Sequence, residues 1–399
     1  MFLICIEILS NFIDTCPDIP GLNIDNNIIK QSFFADDATF FNDGNESSFN
    51  KLISTIENFG KSSGLKINYS KTTILQAGSL KNKNIKFSKT FRFTWTSSSA
   101  KTLGINFTND DQQCILDNFI PKVNDFKKCL KQWQHRKLTL MGKVTVIKSF
   151  ALPKLVYPFT VLSNPPKEII TDLTKSMFAF IWNNKPDKIK REQLYNLKEN
   201  GGLGLPNLKV FIDAIKAGWV KRYLDTNNHG KWKIFFNKIL QKRGGDLIFK
   251  SNLNDDDISK LCGNNTFIND SIRSWNLFKT SQNNNTIQKM IIWNNSEIRI
   301  NNETLYYKMW HDKGILYLEH IFDFIHNKYY SFENFQYLYQ IPDSQYLRYL
   351  QLINSIPKTI RSKLISSDIT KPSEFKSMLD NLNTKTKLSI YLYNTFIKK

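Results

Sequence analysis

The sequence predicts an α+β fold, a small strand-rich N-terminal part followed by a long helical one. Short aromatic, β-branched runs cut by turn residues fill the first hundred or so positions, as in Ile28–Phe34 and Ala38–Phe41. From about Gln113 the apolar period changes to that of a helix, with Leu116, Phe119, Ile120, Val123, Phe126, Leu130 and Trp133 on one face. With 399 residues, 41% hydrophobic and 13% aromatic, the chain can bury a sizeable core, and wholesale disorder is excluded.

The first element is the apolar run Met1–Leu9. The first lysine is Lys30 and Glu7 interrupts the run, so it reads as a buried amphipathic helix rather than a signal peptide. No stretch is apolar for the length that a bilayer requires, so no membrane partner is expected. Gly21–Asp25 and Ile28–Phe34 read as strands with Asn26-Asn27 as their turn.

The next segment carries the chemistry. In Phe33-Phe34-Ala35-Asp36-Asp37-Ala38-Thr39-Phe40-Phe41, two adjacent carboxylates stand between two β-prone aromatic pairs. This is the pattern of two strands joined by a tight acidic turn. Carboxylates held on such a tip suit Mg²⁺, which prefers oxygen donors and shares them with substrate phosphates. Paired Asp residues in a turn are also common for backbone reasons alone.

A helix follows, with Phe49, Leu52, Ile53, Ile56 and Phe59 as its stripe, Ser47 or Ser48 as cap and Gly60 or Gly64 as stop. Gly64–Lys71 reads as a turn, a short strand and a lysine, and Thr102–Phe107 as a further strand. The long helix after Gln113 contains Pro121, which kinks it or marks its start. Leu138–Leu162 reads as helical, ending near Pro153 or Pro158, and a third helix covers Lys167–Trp182. Gly201–Pro206 is a turn, lacking the Gly-Lys-Ser/Thr ending of a phosphate loop. Asp213–Leu224 is a further basic helix. Asn252–Asp257 and Gln282–Asn285 read as loops, and helical stripes recur at Trp310–Ile325 and Tyr346–Ile353. His311 beside Asp312 reads as structural rather than as a metal pair.

Charge is unevenly distributed. The net formal charge is −4 over residues 1–80, +20 over 81–250 and +4 over 251–399. A localised excess of this kind is the footprint of phosphate contact, whereas a merely solvated surface spreads its charge. The five cysteines show no Cys-x-x-Cys spacing and the five histidines are scattered, so no zinc site is expected.

Several of these segments, taken together, resemble the reverse transcriptase of non-LTR (LINE-type) retrotransposons. They are Phe34-Ala35-Asp36-Asp37, the helix ending in Phe59-Gly60-Lys61, Gly64–Lys71 and Leu103-Gly104-Ile105. Trp133–Lys143, Ala151–Leu155, Phe180–Asn183 and Gly201–Leu208 continue the likeness, which covers about residues 1–225.

The resemblance implies a partial polymerase palm over 1–107, a basic helical thumb over 108–227 and a helical region of unknown role over 228–399. It implies two-metal nucleotidyl transfer on an RNA template, with a DNA primer and dNTP as partners and Mg²⁺ as cofactor. Asp36 and Asp37 would bind the metal, and Lys71 would act near the nucleotide phosphates. Phe34 would pack beneath the site, and Leu103 and Gly104 would position the primer. Arg136, Lys137, Lys143 and Lys148 would track the nucleic-acid backbone.

The family's first catalytic Asp motif has no counterpart here, since Asp14, Asp18 and Asp25 lie outside β-patterned runs. The expectation is therefore a fragment inactive by itself, with truncation exposing apolar palm surface. The alternative is a non-catalytic nucleic-acid-binding relic. With no export signal, cytoplasm and nucleus are the expected compartments.

Overall fold

The computed structural model describes residues 2–81, 83, 93–281, 287–366 and 388–397. The expected loop at Gln282–Asn285 lies outside them. The fold is α+β: helices dominate and all the strands described form two-stranded pairs. The chain divides into two compact units, Met1–Asn124 and Asp125–Lys399, and the division falls within one long helix.

In the first unit, helix α1 (Phe2–Thr15) is followed by a hairpin of β1 (Leu22–Ile24) and β2 (Asn27–Ile29). Its turn is Asp25-Asn26, one residue earlier than the sequence suggests, and both residues have positive φ, 47° and 66°. Such a pair is the usual two-residue hairpin loop.

A second hairpin pairs β3 (Gln31–Phe34) with β4 (Asp37–Phe40). Helix α2 (Glu46–Ser63) starts at Asn45 rather than Ser47 or Ser48, and stops at Gly64 in the left-handed region, as its sequence signals. Gly64–Asn68 forms no strand; the chain reaches β5 (Thr73–Leu75), which pairs in parallel with β6 (Thr94–Thr96). A third hairpin joins β7 (Ser99–Thr102) and β8 (Ile105–Thr108).

The core of this unit packs Leu9, Ile13, Ile19 and Leu52 against Phe33 and Phe40. Helix α1 buries only this one stripe: Leu3 and Ile4 on its other face are 73% and 64% exposed. The expected amphipathic helix forms, buried along one face only. Phe2, Ile8 and Phe12 are exposed as well, so this face of α1 is an apolar surface.

Helix α3 (Asp111–Gln134) runs through Pro121. In the second unit, α4 (Leu140–Val146) passes into a π-helical segment, Ile147–Ala151, and then into α5 (Pro153–Val161), with a bend of 48°. The π register has a local cause. Pro153 has no N–H, and Leu152 N–H reaches back five residues to Ile147 O at 2.8 Å. Neither Pro153 nor Pro158 ends the helix, because Pro153 takes the first-turn position where its missing N–H costs nothing. Helix α6 (Lys167–Trp182) has the predicted bounds.

Short helix α7 (Arg191–Tyr195) leads to the glycine turn, and α8 (Leu208–Leu224) follows, capped by Asn207. Ala214, Ala217 and Val220 of α8 pack on Trp275 and Phe278 of the helix Thr266–Ser281 and on Leu392 of the C-terminal helix Leu388–Ile397. A separate core of Trp293, Trp310, Phe322, Phe335 and Leu352 occupies residues 287–364. There the stripe Trp310–Ile325 makes only one helical turn, Lys308–Asp312, before a 3₁₀ turn and a tight hairpin. Tyr346–Ser355 is helical as expected.

Candidate functional site

The acidic turn has the geometry its sequence suggests. Phe34 pairs with Asp37 across the hairpin, so Ala35 and Asp36 form the two-residue loop. Ala35 adopts φ +53°, a left-handed conformation that costs a non-glycine residue about 1–2 kcal/mol. Strain of this kind is tolerated where the flanking structure fixes the backbone, and it gathers at functional sites. Asp36 and Asp37 are both exposed, and among the described residues neither side chain has a hydrogen-bond or ion-pair partner.

The scaffold beneath is Phe33, not Phe34. Side chains alternate across a strand. Phe33 turns inward and meets Phe40 edge-to-face at 5.7 Å, while Phe34 points out and is 67% exposed. The idea that Phe34 packs beneath the turn is thus corrected, and its outward ring remains open to a ligand. Gln31, buried at the other end of the strand, donates from Nε2 to Ser10 O at 2.7 Å and ties the hairpin to α1.

Whether Mg²⁺ fits here turns on the donor set. The turn supplies two adjacent carboxylates. Among the described residues no group of three or more His, Cys, Asp or Glu side chains gathers to hold a metal. A two-metal centre needs carboxylates that bridge and flank both ions. The donors among the described residues fall short of that set, so no catalytic step is derived through the metal.

Lys71 closes a turn, its backbone N–H donating to Asn68 O at 3.1 Å, and its side chain is exposed. Leu103 and Gly104 form the loop of the β7–β8 hairpin, with φ of 47° and 79°. A Cβ on Gly104 would meet nothing within 4 Å, so the positive φ, not crowding, favours glycine there. The single strand expected over Thr102–Phe107 is thus corrected: the chain reverses at Leu103-Gly104, and only Ile105–Thr108 continues as a strand.

The basic residues divide into two groups. Arg136 and Lys137 are exposed, with the Arg136 guanidinium 4.3 Å from the Trp133 ring centre. Lys148 is exposed on the π segment. Lys143 is not available to a backbone phosphate. It is 6% exposed, and its ammonium donates to Phe180 O, Ile181 O and Asn183 Oδ1 at 3.0, 2.9 and 2.6 Å. Its assignment as a nucleic-acid contact is corrected: it caps the C-terminal end of α6. Burial pushes its pKa below the ordinary lysine value.

The structure also brings together groups that the sequence reading did not join. Thr145, Lys148 and Ser149 line a groove with Lys198 and Leu203 of the glycine turn. The signal was present in Gly201-Gly202, because two adjacent glycines permit a close approach that nothing else does. A Cβ on Gly202 would lie 2.1 Å from Asn196 O. His311 Nδ1 lies 3.5 Å from Asp312 Oδ1 and 3.4 Å from the Tyr306 hydroxyl, an arrangement that needs no metal.

No family model matches this chain. It is similar to the Transposon TX1 uncharacterized 149 kDa protein of Xenopus laevis, at 26% identity over 179 residues. The match takes in 44% of this chain and 13% of that protein, so the chain spans a small part of its relative's length. The similarity ties part of this chain to a transposon protein.

Proposed function

We propose that this chain is a palm-and-thumb portion of a LINE-type reverse transcriptase and that its own activity is to bind nucleic acid. The observation that carries the reading is the β3–β4 hairpin, which presents Asp36 and Asp37 at a fixed tip over Phe33. The localised +20 charge of residues 81–250 and the similarity to a transposon protein support it.

In the polymerase it resembles, Asp36 would be a Mg²⁺ ligand with Asp37 as a secondary carboxylate. Lys71 would neutralise phosphate charge. The hairpin loop Leu103-Gly104 would position a primer end. RNA template, DNA primer and dNTP are the partners of that activity. Among the described residues no third ligand joins these two carboxylates, which favours binding over nucleotidyl transfer as the chain's own activity.

The test is primer extension on poly(rA)–oligo(dT) with Mg²⁺, wild type beside Asp36→Ala, together with binding across a salt series. The expected result is no extension, and binding that falls linearly on log–log axes as phosphate contacts release counterions. Extension by the wild type that Asp36→Ala abolishes would overturn the non-catalytic part. Absence of binding at low salt would overturn the whole reading.

A further inference from the structure

Helix α1 carries two apolar stripes, and the core of its own unit takes only one. Leu9 and Ile13 face that core. Ile4, Ile8 and Phe12 do not. They stand four residues apart, so they stack along one side of the helix, and they are 64%, 45% and 54% exposed. The row is about 12 Å long at the helical rise per residue. Single apolar side chains on a surface need no explanation, whereas a continuous row marks a place where something docks.

The charge beside the row identifies its occupant. Glu7 and Asp14, seven residues apart, form a second row on the neighbouring side of α1. Both are exposed, and among the described residues neither side chain has an ion-pair partner. No lysine or arginine precedes Lys30, whereas Glu7, Asp14, Asp18 and Asp25 do. Asp18 is met by Lys51 of α2 at 3.1 Å. Lys30 is turned inward, its ammonium donating to Asp14 O at 2.9 Å and to Cys16 O at 2.6 Å. Glu7 and Asp14 are thus left as unanswered negative charges along an apolar row.

This pattern disfavours two occupants. A second copy that docked α1 on α1 would bring two acidic rows together. A lipid surface recruits interfacial helices through Lys and Arg on their polar face, and α1 has neither. A partner helix with apolar residues at the same spacing and cations on its flank answers both rows at once.

We propose that the exposed face of α1 docks a cationic amphipathic helix of another polypeptide. Its apolar side chains would sit on Ile4, Ile8 and Phe12, and its lysine or arginine side chains would face Glu7 and Asp14. A single pair of helices this short buries less than the roughly 1,200–2,000 Å² of a stable complex, so the contact is a transient one. The assignment is independent of the nucleic-acid reading above.

The experiment is fluorescence anisotropy of a labelled synthetic amphipathic helix of leucine and lysine, titrated with the full chain. The net charge of +20 repels such a probe, so its binding reports a local acidic site. Ile4→Gln with Ile8→Gln should weaken binding at least tenfold. Glu7→Gln with Asp14→Asn should weaken it roughly threefold to tenfold and flatten its dependence on salt. All four side chains are exposed, so both double variants should keep the wild-type melting transition. Either pair alone suffices if the other unfolds the helix. The wild type is also sedimented alone and mixed with phosphatidylserine vesicles.

Failure of the wild type to bind the probe, or binding that neither pair weakens, would overturn the site. Self-association that Ile4→Gln with Ile8→Gln abolishes would overturn the assigned partner in favour of a second copy. Vesicle binding abolished by the same pair would overturn it in favour of a membrane.

Discussion

Lys143 on helix α4 places its ammonium 2.9 Å from the carbonyl oxygen of Ile181, near the end of helix α6. The last carbonyls of a helix have no partner within it and carry the negative end of its dipole. A lysine from elsewhere satisfies both needs. The device recurs in this chain. Lys30 donates to Ile13, Asp14 and Cys16 O at the end of α1, and Lys216 donates to Leu162 O just beyond α5. Lys279 does the same at Phe249 and Ser251 O, and Lys313 at Tyr339 and Gln340 O.

Lys143→Ala therefore leaves three acceptors without a donor, the buried carbonyls of Phe180 and Ile181 among them, and should cost about 2–3 kcal/mol of stability. Lys148→Ala, a change at an exposed side chain of the same segment, should stay within about 0.5 kcal/mol. Urea denaturation of the two variants checks the contrast. Equal costs would show that Lys143 is not a structural cap.

The enclosed lysines set a pH dependence. Burial pushes Lys216 down to about 7, against an opposing pull from Asp270, and its ordinary value is 10.5. Burial likewise pushes Lys279 down to about 7. Between those values the unfolded chain holds protons that the folded chain has released, so stability rises with pH. Cys262 acts in the opposite sense, since burial pushes its thiol up from 9.0 to about 12. The urea midpoint should climb from about pH 7 to about pH 9, and Lys216→Met should flatten the climb. A midpoint that falls over this interval would contradict the assignment.

Phe33 and Phe34 are neighbours with opposite duties. Phe33→Ala should cost about 2–4 kcal/mol, because its ring fills space against Phe40 and the α1–α2 core. Phe34→Ala should leave the melting temperature nearly unchanged. Thermal melts of both variants read this directly, and a reversed order would mean that the hairpin register is shifted by one.

The glycine turn gives a steric contrast. An alanine at Gly202 brings Cβ against a backbone oxygen, which cannot move aside cheaply, and should cost about 1–3 kcal/mol. At Gly201 a Cβ meets nothing within 4 Å, and only φ +75° opposes it, a penalty of about 1 kcal/mol. Chemical denaturation of the two single variants compares them.

What was legible in the sequence followed from local rules. Period 2 with a two-residue loop located the acidic hairpin, and a helical stripe gave Lys167–Trp182 its bounds. Leu103-Gly104 was less legible: the apolar run Thr102–Phe107 reads as one strand, yet both residues adopt positive φ and turn the chain back as a hairpin loop. Local rules failed where tertiary contacts decide. Nothing near Lys143 in sequence reveals that its acceptors lie nearly forty residues away. The stripe Trp310–Ile325 has helical spacing, yet Trp310 and Phe322 fill one core from separate short elements. The groove joins Lys148 to Lys198, two segments separated by helix α6, and no periodicity reports that meeting.

The enclosed ammonium groups also carry a chemical consequence. An amine must be reached by an acylating reagent before it can react with it. Lys30, Lys143 and Lys216, at 7%, 6% and 0% exposure, are closed to such a reagent while the chain is folded. Acylation would therefore spare these three among the lysines of the native protein and take them on unfolding. The modification pattern of this lysine-rich chain would itself record whether a given molecule had been folded when the reagent arrived.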